Sequence, residues 1–583
     1  MANVVIDPIT RIEGHLRIEV EAENGVISKD KAWSVATQFR GIEEIVLGRD
    51  PRDVWAFTQR ICGVCTTVHA IASVTAVENA IGSKIPRQAV LIRDLILHSQ
   101  GVQDHVIHFY HLHALDWVNV VSAASADARK AVELATAIGS KWKYNTYDRF
   151  EQVRQTVAGI ADSKQLSVFT GGYWEHPAYK LPPEVNLIAV SHYLDALEFQ
   201  RSMIKVNTVF GGKNPHPNFL VGGMASTLDY DRSESINQVQ VSEIQNWVNE
   251  TLEFVENCYI PDALAILESY PEYFDIGASS PNYLAVGMHG AVYGGDPNQA
   301  PMYPSAMQTE VKPGVILNDD FTKVYDFDPL KVTESIASSW LTYSGGKTSL
   351  APAEGETKVG DKKPKLPIEW LADSPEYSWA KAPRYDGHAV QVGPLARVIL
   401  AYAQGHKRTK ELVDMAIDKY KIQPAQLNST AGRTLARAVE CWISAEQMVD
   451  TMKEFTTNLS KGDITVFDAS RWEPSTWPKD AQGYSFVEVA RGNLSHWVKI
   501  DSGGKVSAYQ CVVPTTWLAG GRDETGQIGP YEHSLAGNGR HPLERPEEPL
   551  EVLRTIHSFD PCMACAVQVL DVNGETLQVV TTS

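Results

Sequence analysis

The sequence predicts a mainly α protein with small peripheral β-sheets, because apolar residues recur at three- and four-residue spacing over long stretches, alternation marks the N-terminus, and apolar runs broken by Gly and Pro fill the last hundred residues. The helical pattern is clearest in 87–123, RQAVLIRDLILHSQGVQDHVIHFYHLHALDWVNVVSA, and recurs near 187–209, 233–268, 389–405 and 428–459. That is enough for a large helical body around a central helix bundle. The 187–209 pattern stops at Gly211-Gly212 and the turn-rich KNPHPN, a helix end followed by a surface loop. In 15–35, Leu16, Ile18 and Val20 alternate with polar neighbours and Asn24-Gly25 supplies a turn, which reads as a β-hairpin. Residues 343–367 are rich in Gly, Lys and Pro and read as an exposed insertion, not a domain boundary.

At 583 residues the chain exceeds the length, about 250–300 residues, at which single cores stop growing, so a deeply buried site is feasible. The net charge of −19 is spread without a basic block, which argues against nucleic acid or an anionic membrane surface as a partner and favours small or neutral substrates. No run of about 18 apolar residues occurs, and MANVVIDPITRIEGH has neither a basic leader nor an apolar core. The chain is expected neither to span a membrane nor to export itself.

Of seven cysteines, Cys258, Cys441 and Cys511 stand alone, while Cys62-Gly-Val-Cys65 and Cys562-Met-Ala-Cys565 form two C-x-x-C pairs. Four thiolates are soft ligands for zinc, iron or nickel, and spacing alone does not choose among them. A structural zinc site of four cysteines is the default. Zinc ribbons, however, separate their pairs by roughly 15 to 20 residues, whereas nearly the whole chain lies between these. Such a site makes the N- and C-terminal segments converge on a buried metal. Arg60 and His69 flank the first pair, and His557, Asp560 and Pro561 precede the second. Titratable neighbours around thiolates suggest a site that moves protons.

Arg40-Gly-Ile-Glu43 followed by Arg60-Ile-Cys-Gly-Val-Cys65 resembles the N-terminal signature of nickel-iron hydrogenase large subunits, and Phe559-Asp-Pro-Cys-Met-Ala-Cys565 resembles their C-terminal signature. Asp7-Pro-Ile-Thr-Arg-Ile-Glu-Gly-His15, Arg49-Asp-Pro-Arg-Asp53, Gly211-Gly-Lys-Asn-Pro-His-Pro217 and Val513-Pro-Thr-Thr-Trp517 extend the resemblance over most of the chain. It implies one catalytic domain, 1–568, that cleaves dihydrogen heterolytically and reversibly into protons and electrons at a Ni-Fe centre. Cys62 and Cys562 would be terminal nickel ligands, and Cys65 and Cys565 would bridge nickel to an iron carrying carbon monoxide and cyanide. Arg491 matches the arginine that overhangs the metals, although the family usually has proline where this chain has Ala490. Asp104 and Asp560 match the carboxylates beside it, and Thr515 a hydroxyl that binds cyanide. His69 and Arg60 would support the thiolates from behind. Glu43 matches a ligand of a magnesium ion whose usual histidine partner is replaced here by Gln568, still an oxygen donor.

Glu13 matches a glutamate that hands protons between a nickel thiolate and the interior. Thr10-Arg-Ile-Glu13 also fits a capping box, but residues 16–20 alternate like a strand, so proton transfer is the favoured reading. The remaining cysteines are too scattered for an iron-sulfur relay. The resemblance supplies that relay as an iron-sulfur small subunit, leading to a membrane cytochrome or similar acceptor, with the His216 loop facing it. Residues 569–583 would be a maturation tail removed by a nickel-dependent protease, after metal-insertion chaperones have acted. His108-Phe-Tyr-His-Leu-His-Ala-Leu-Asp-Trp117 is most similar to the membrane-associated uptake group. That similarity implies a periplasmic face reached by export with the partner, from a cytoplasmic precursor. A hydrogen-sensing regulatory protein and a structural zinc protein are the alternatives.

Overall fold

A computed structural model of the chain describes residues 2–39, 41–163, 166, 169, 172–295, 310–360 and 370–566, without the side chains of 565 and 566. At the centre, helix α1 (Val68–Ile81) is buried along its whole length. Helix α2 (Arg87–Ile107) lies against the longest helix of the bundle. Around them run α3 (Pro183–Met203), α4 (Gln238–Phe254), α5 (Ile260–Ser269), α6 (Pro394–Ala403) and that longest helix, α7 (Thr430–Ser460). Helix α7 starts where Ser429 accepts the Gly432 N–H at 3.0 Å, which satisfies one of the amides orphaned at a helix start. Its inward face carries Arg433, Arg437 and Glu440 among apolar neighbours.

The single helical pattern expected over 87–123 breaks at His108, where a π turn, His108–His113, re-aims the side chains. The break follows from polar side chains that need partners in the core. His108 Nε2 reaches the His557 carbonyl at 2.6 Å, and His113 Nδ1 reaches Asp116 at 3.3 Å. A second π turn, Val255–Tyr259, faces the first, with the Tyr110 hydroxyl 3.5 Å from Cys258 Sγ and donating to Asp262 at 2.7 Å.

Strands β1 (Ala2–Ile6), β2 (Leu16–Glu23) and β3 (Val26–Ala36) form an antiparallel sheet in that order, with the hairpin turning at Asn24 and Gly25. The alternating face of β2 is not solvated. Arg17 and Glu19 are buried as a pair, and Glu19 accepts the backbone N–H groups of Leu371 and Ala372 at 3.0 and 2.8 Å. A second sheet pairs β4 (Val292–Gly295), β5 (Gln482–Val489), β6 (Gly492–Ile500) and β7 (Val506–Val512) antiparallel, and α1 packs on β5. Residues 344–348 are exposed, but Leu350, Pro352 and Thr357 of the same segment are buried; 361–367 lie outside the described residues. Among the described residues no helix is long and apolar enough to cross a membrane.

Candidate metal centre

Cys62 leaves a short 3-10 turn in extended conformation, and Cys65 stands just before α1. The second pair follows α9 (Leu550–His557), with α8 (Pro514–Ala519) packed beside it. Asp560 closes α9 through its N–H on the His557 carbonyl at 2.9 Å and takes φ +59°. Aspartate tolerates that left-handed region, and Pro561 next to it disfavours continued helix. The chain therefore turns abruptly and presents Cys562 inward. Residues 563–566 then form a last helical turn, α10, that includes Cys565; its side chain, Gln568, Arg40 and the tail lie outside the described residues.

Cys62, Cys65 and Cys562 are buried, with sulfurs all within 4.8 Å of one another. Cys562 Sγ is 3.4 Å from Cys62 Sγ and 3.8 Å from Cys65 Sγ, too far for a disulfide. Cys62 Sγ accepts the N–H groups of Val64 and Cys65 at 3.3 Å each, which favours its thiolate.

The N-terminal loop meets this segment backbone to backbone. Met563 N–H donates to Glu13 O at 2.8 Å, and Glu13 pairs with Cys562 as an isolated bridge. Gly14 makes the approach possible: at φ +76°, a Cβ there would stand 2.7 Å from Ala564 N. No helix begins at residues 10–13, so the capping-box alternative has nothing to cap. Instead Glu13 Oε2 accepts the Ala564 N–H at 2.8 Å and faces Cys562 Sγ at 3.3 Å. Burial, then the charge of Cys62, push its pKa up to about 7 against those two hydrogen bonds.

Arg491 lies in the tight turn between β5 and β6. Its Nη1 donates to Asp104 at 3.0 Å and its Nη2 stands 3.2 Å from Asp560. Burial opposes the guanidinium charge, but Asp560 and Asp104 outweigh it and hold its pKa above the usual value. Burial carries Asp104 up to about 7, against Arg491 and with Asp560, while Gln100 donates to it at 2.8 Å. A cavity lies between Arg491, Ala490, Pro514, Thr515, Cys65 and Cys562. Arg491 Nε, buried, has no hydrogen-bond partner among the described residues, and the buried Asp560 carboxylate meets Arg491 as an ion pair without a well-directed hydrogen bond. Thr515 Oγ1 accepts the Cys562 N–H at 3.1 Å, leaving its own O–H to donate. Three clustered soft thiols, two of them lining a cavity that is also lined by Arg491 with its unused Nε–H, fit a thiolate-held metal carrying small acceptor ligands.

Other predicted positions stand further out. His69 lines the cavity, but its Nδ1 pairs with His496 Nε2 at 3.0 Å. Arg60 is exposed, with Nη1 on Gln59 Oε1 at 3.0 Å. His216 Nδ1 is 3.2 Å from Thr66 Oγ1. Glu43 is remote from the thiols in a second buried cluster, accepting from the Cys511 N–H at 2.7 Å and from the Thr357 hydroxyl; Lys381 donates there to Gln510 at 2.6 Å. Sequence reasoning missed a buried hub around Asp116, which pairs with Arg11 at 2.5 Å and His557 at 2.6 Å and ties the N-terminal loop to α9. It also missed Arg397, which holds Glu440 and Glu488. Helical spacing places an arginine on a face but does not say that the face is buried.

The family model described as nickel-dependent hydrogenase matches residues 40–568, and one described as HoxL-like matches 3–27. The uptake hydrogenase large subunit of Bradyrhizobium diazoefficiens is 44% identical over 98% of this chain and 96% of that protein. The hydrogenase-1 large chain of Escherichia coli K12 is 42% identical over the same shares. In structure the chain is similar to the [NiFeSe] hydrogenase of Desulfovibrio vulgaris Hildenborough, with TM-score 0.74 and 29% identity over 97% of this chain and 99% of that one. The Ni-Fe-Se hydrogenase of Desulfomicrobium baculatum gives 0.71 and 29% over 97% and 100%. With its thiols, overhanging arginine and half-buried glutamate in one place, the chain belongs to the nickel-dependent hydrogenase family, as a large subunit of the nickel-iron type.

Proposed function

We propose that this chain oxidises dihydrogen at a nickel-iron centre held where its N- and C-terminal segments meet, and passes the electrons to a small subunit. The observation that carries the reading is the set of three thiols under the Arg491 cavity, with Glu13 against Cys562. Cys62, Cys65, Cys562 and Cys565 would hold the nickel and iron, the iron carrying carbon monoxide and cyanide. Such a centre supplies heterolytic cleavage of dihydrogen and takes up its two electrons.

The chain's own residues do the rest. Glu13 Oε2 takes a proton from Cys562 Sγ and hands it on towards the interior. Arg491, held by Asp104 and Asp560, lines the cavity and keeps its Nε–H available for an acceptor ligand. Thr515 offers a second donor. The relatives are large subunits, and Cys258, Cys441 and Cys511 are singly buried, so electrons leave through a partner. We assign Glu43 and Gln568 to a magnesium ion, 1–568 to one catalytic domain and 569–583 to a removable maturation tail. Docked on its small subunit, the enzyme works at the membrane, on the periplasmic side.

Metal analysis and dye reduction of the purified complex test this. Nickel and iron in equal amounts, infrared bands of bound carbon monoxide and cyanide, and hydrogen-dependent turnover are expected. Zinc alone would overturn it.

A further inference from the structure

The Arg491 side chain starts from a very short hairpin loop. Val489 pairs with Gly492, leaving Ala490 and Arg491 as the whole turn. Two-residue hairpin loops are normally built from residues that accept positive φ, such as Asn-Gly, because that backbone twist matches the strands. Neither Ala490 nor Arg491 adopts positive φ, and Gly492 after them takes +139°. Alanine has no ring to fix φ and no side-chain group to bond its own backbone. The turn is therefore not held by its own sequence.

The restraint comes from α6. Its N-cap, Gly393, at φ +107°, lies so close that a Cβ there would stand 2.9 Å from Arg491 O. One turn into the helix, fully buried Arg397 donates from Nη1 to Val489 O at 2.9 Å and from Nη2 to Ala490 O at 3.2 Å. Its other donors go to Glu440 of α7, at 2.5 Å from Nε and from Nη2, and from Nη1 to Glu488 of β5 at 2.8 Å. All five N–H donors of the guanidinium are thereby used. Both carboxylates are anchored elsewhere. Glu440 faces His105 Nε2 at 3.0 Å, and Glu488 accepts from Val286 N–H at 2.8 Å and Asn493 at 2.9 Å. Neutralising buried charge explains the carboxylate contacts. It does not explain two further donors spent on the carbonyls immediately before Arg491.

We propose that Arg397 is a positioning residue for Arg491: by gripping the carbonyls of Val489 and Ala490 it fixes the hairpin tip and so sets where the Arg491 guanidinium stands over the thiol cavity. Asp104 and Asp560 orient that guanidinium at its far end, and Arg397 fixes the backbone at its near end. The proposal rests on the site reading above.

The test is Arg397→Lys in the complete enzyme. Lysine keeps a charge beside Glu440 and Glu488, but its three donors on one atom cannot serve both carboxylates and both carbonyls. Nickel and iron content should stay at the wild-type level. A crystal structure should show Arg491 withdrawn from Asp104 or Asp560, and kcat should fall by up to about 10²-fold with little change in KM for dihydrogen, as misplacement of a reacting-site group does. Arg491 still on both carboxylates with unchanged kcat overturns the proposal, whatever the melting temperature does. Arg397→Lys combined with Glu440→Gln, which leaves the lysine a single carboxylate partner in Glu488, decides the matter if the lone lysine variant does not fold. The same displacement and loss are expected, and Arg491 still on both carboxylates with unchanged kcat overturns the idea. Wild-type enzyme lacking nickel and iron would overturn the site reading itself, a distinguishable result.

Discussion

Glu13 has its position set by backbone bonds and its acidity by burial, and the two are separable by mutation. Its main chain is tied to Pro561 and Met563, and its carboxylate accepts the Ala564 N–H beside Cys562. In Glu13→Gln, the amide oxygen can still accept the Ala564 N–H, but no atom can take a proton. Dihydrogen oxidation should fall about 10²- to 10⁴-fold, the usual range for losing a positioned acid-base group, with nickel and iron content unchanged. Dye reduction alongside metal analysis checks this, and near-normal turnover would remove Glu13 from the proton path. Arg491→Lys asks a different question at the same scale. The guanidinium spans Asp104 and Asp560 with two separate nitrogens, and an ammonium offers one point of contact. One carboxylate is then left unpaired in the core, so turnover should drop while the metals remain bound.

Among elements, α7 does the most to position the site from behind. Arg437 donates to the Ser558 carbonyl at 2.8 Å and Arg433 to Ser558 Oγ at 2.8 Å, bracing the turn that presents Cys562, while Glu440 anchors Arg397. Ser429→Ala removes the cap of this helix and should cost about 1 kcal/mol, seen as a lower melting temperature with unaltered metal content. An unchanged melting temperature would mean that packing alone holds the helix start. The helix itself was legible: a pattern over 428–459 became 430–460, because apolar spacing reports a face directly. The two C-x-x-C pairs drew attention to the region where Cys62, Cys65 and Cys562 lie together, since thiolate chemistry needs particular residue types; the Cys565 side chain lies outside the described residues. What stayed hidden depended on contacts far apart in sequence. Alternation in β2 foretold a strand, but its polar face is covered by 371–372, so Arg17 and Glu19 pair in the interior. Arg397 sits in a short apolar helix and takes its meaning from Glu440 and Glu488, which no local pattern connects.

At the scale of the whole molecule, burying so many polar groups makes stability depend on pH. His98, His113 and His541 lie in the interior, where burial lowers each pKa to about 4. In the unfolded chain each would titrate near 6.5, so between about pH 6.5 and 4 the unfolded state binds protons that the folded state refuses. Stability from these groups is therefore complete above pH 6.5 and is lost as pH falls towards 4. A depression of this size corresponds to about 3 kcal/mol per group at most. His541 isolates the effect, because it lies among Pro542 and Thr555, with Nδ1 2.9 Å from the Pro542 carbonyl and Nε2 2.7 Å from the Thr555 hydroxyl. His541→Asn keeps a donor for that carbonyl and removes the titration. The variant should melt lower than wild type at pH 7, where the lost Thr555 contact counts fully. Its melting temperature should then fall less steeply between pH 6.5 and 4.5, so that the two curves approach each other in acid. Parallel curves would mean that His541 already binds its proton in the folded protein, and that burial does not hold it neutral.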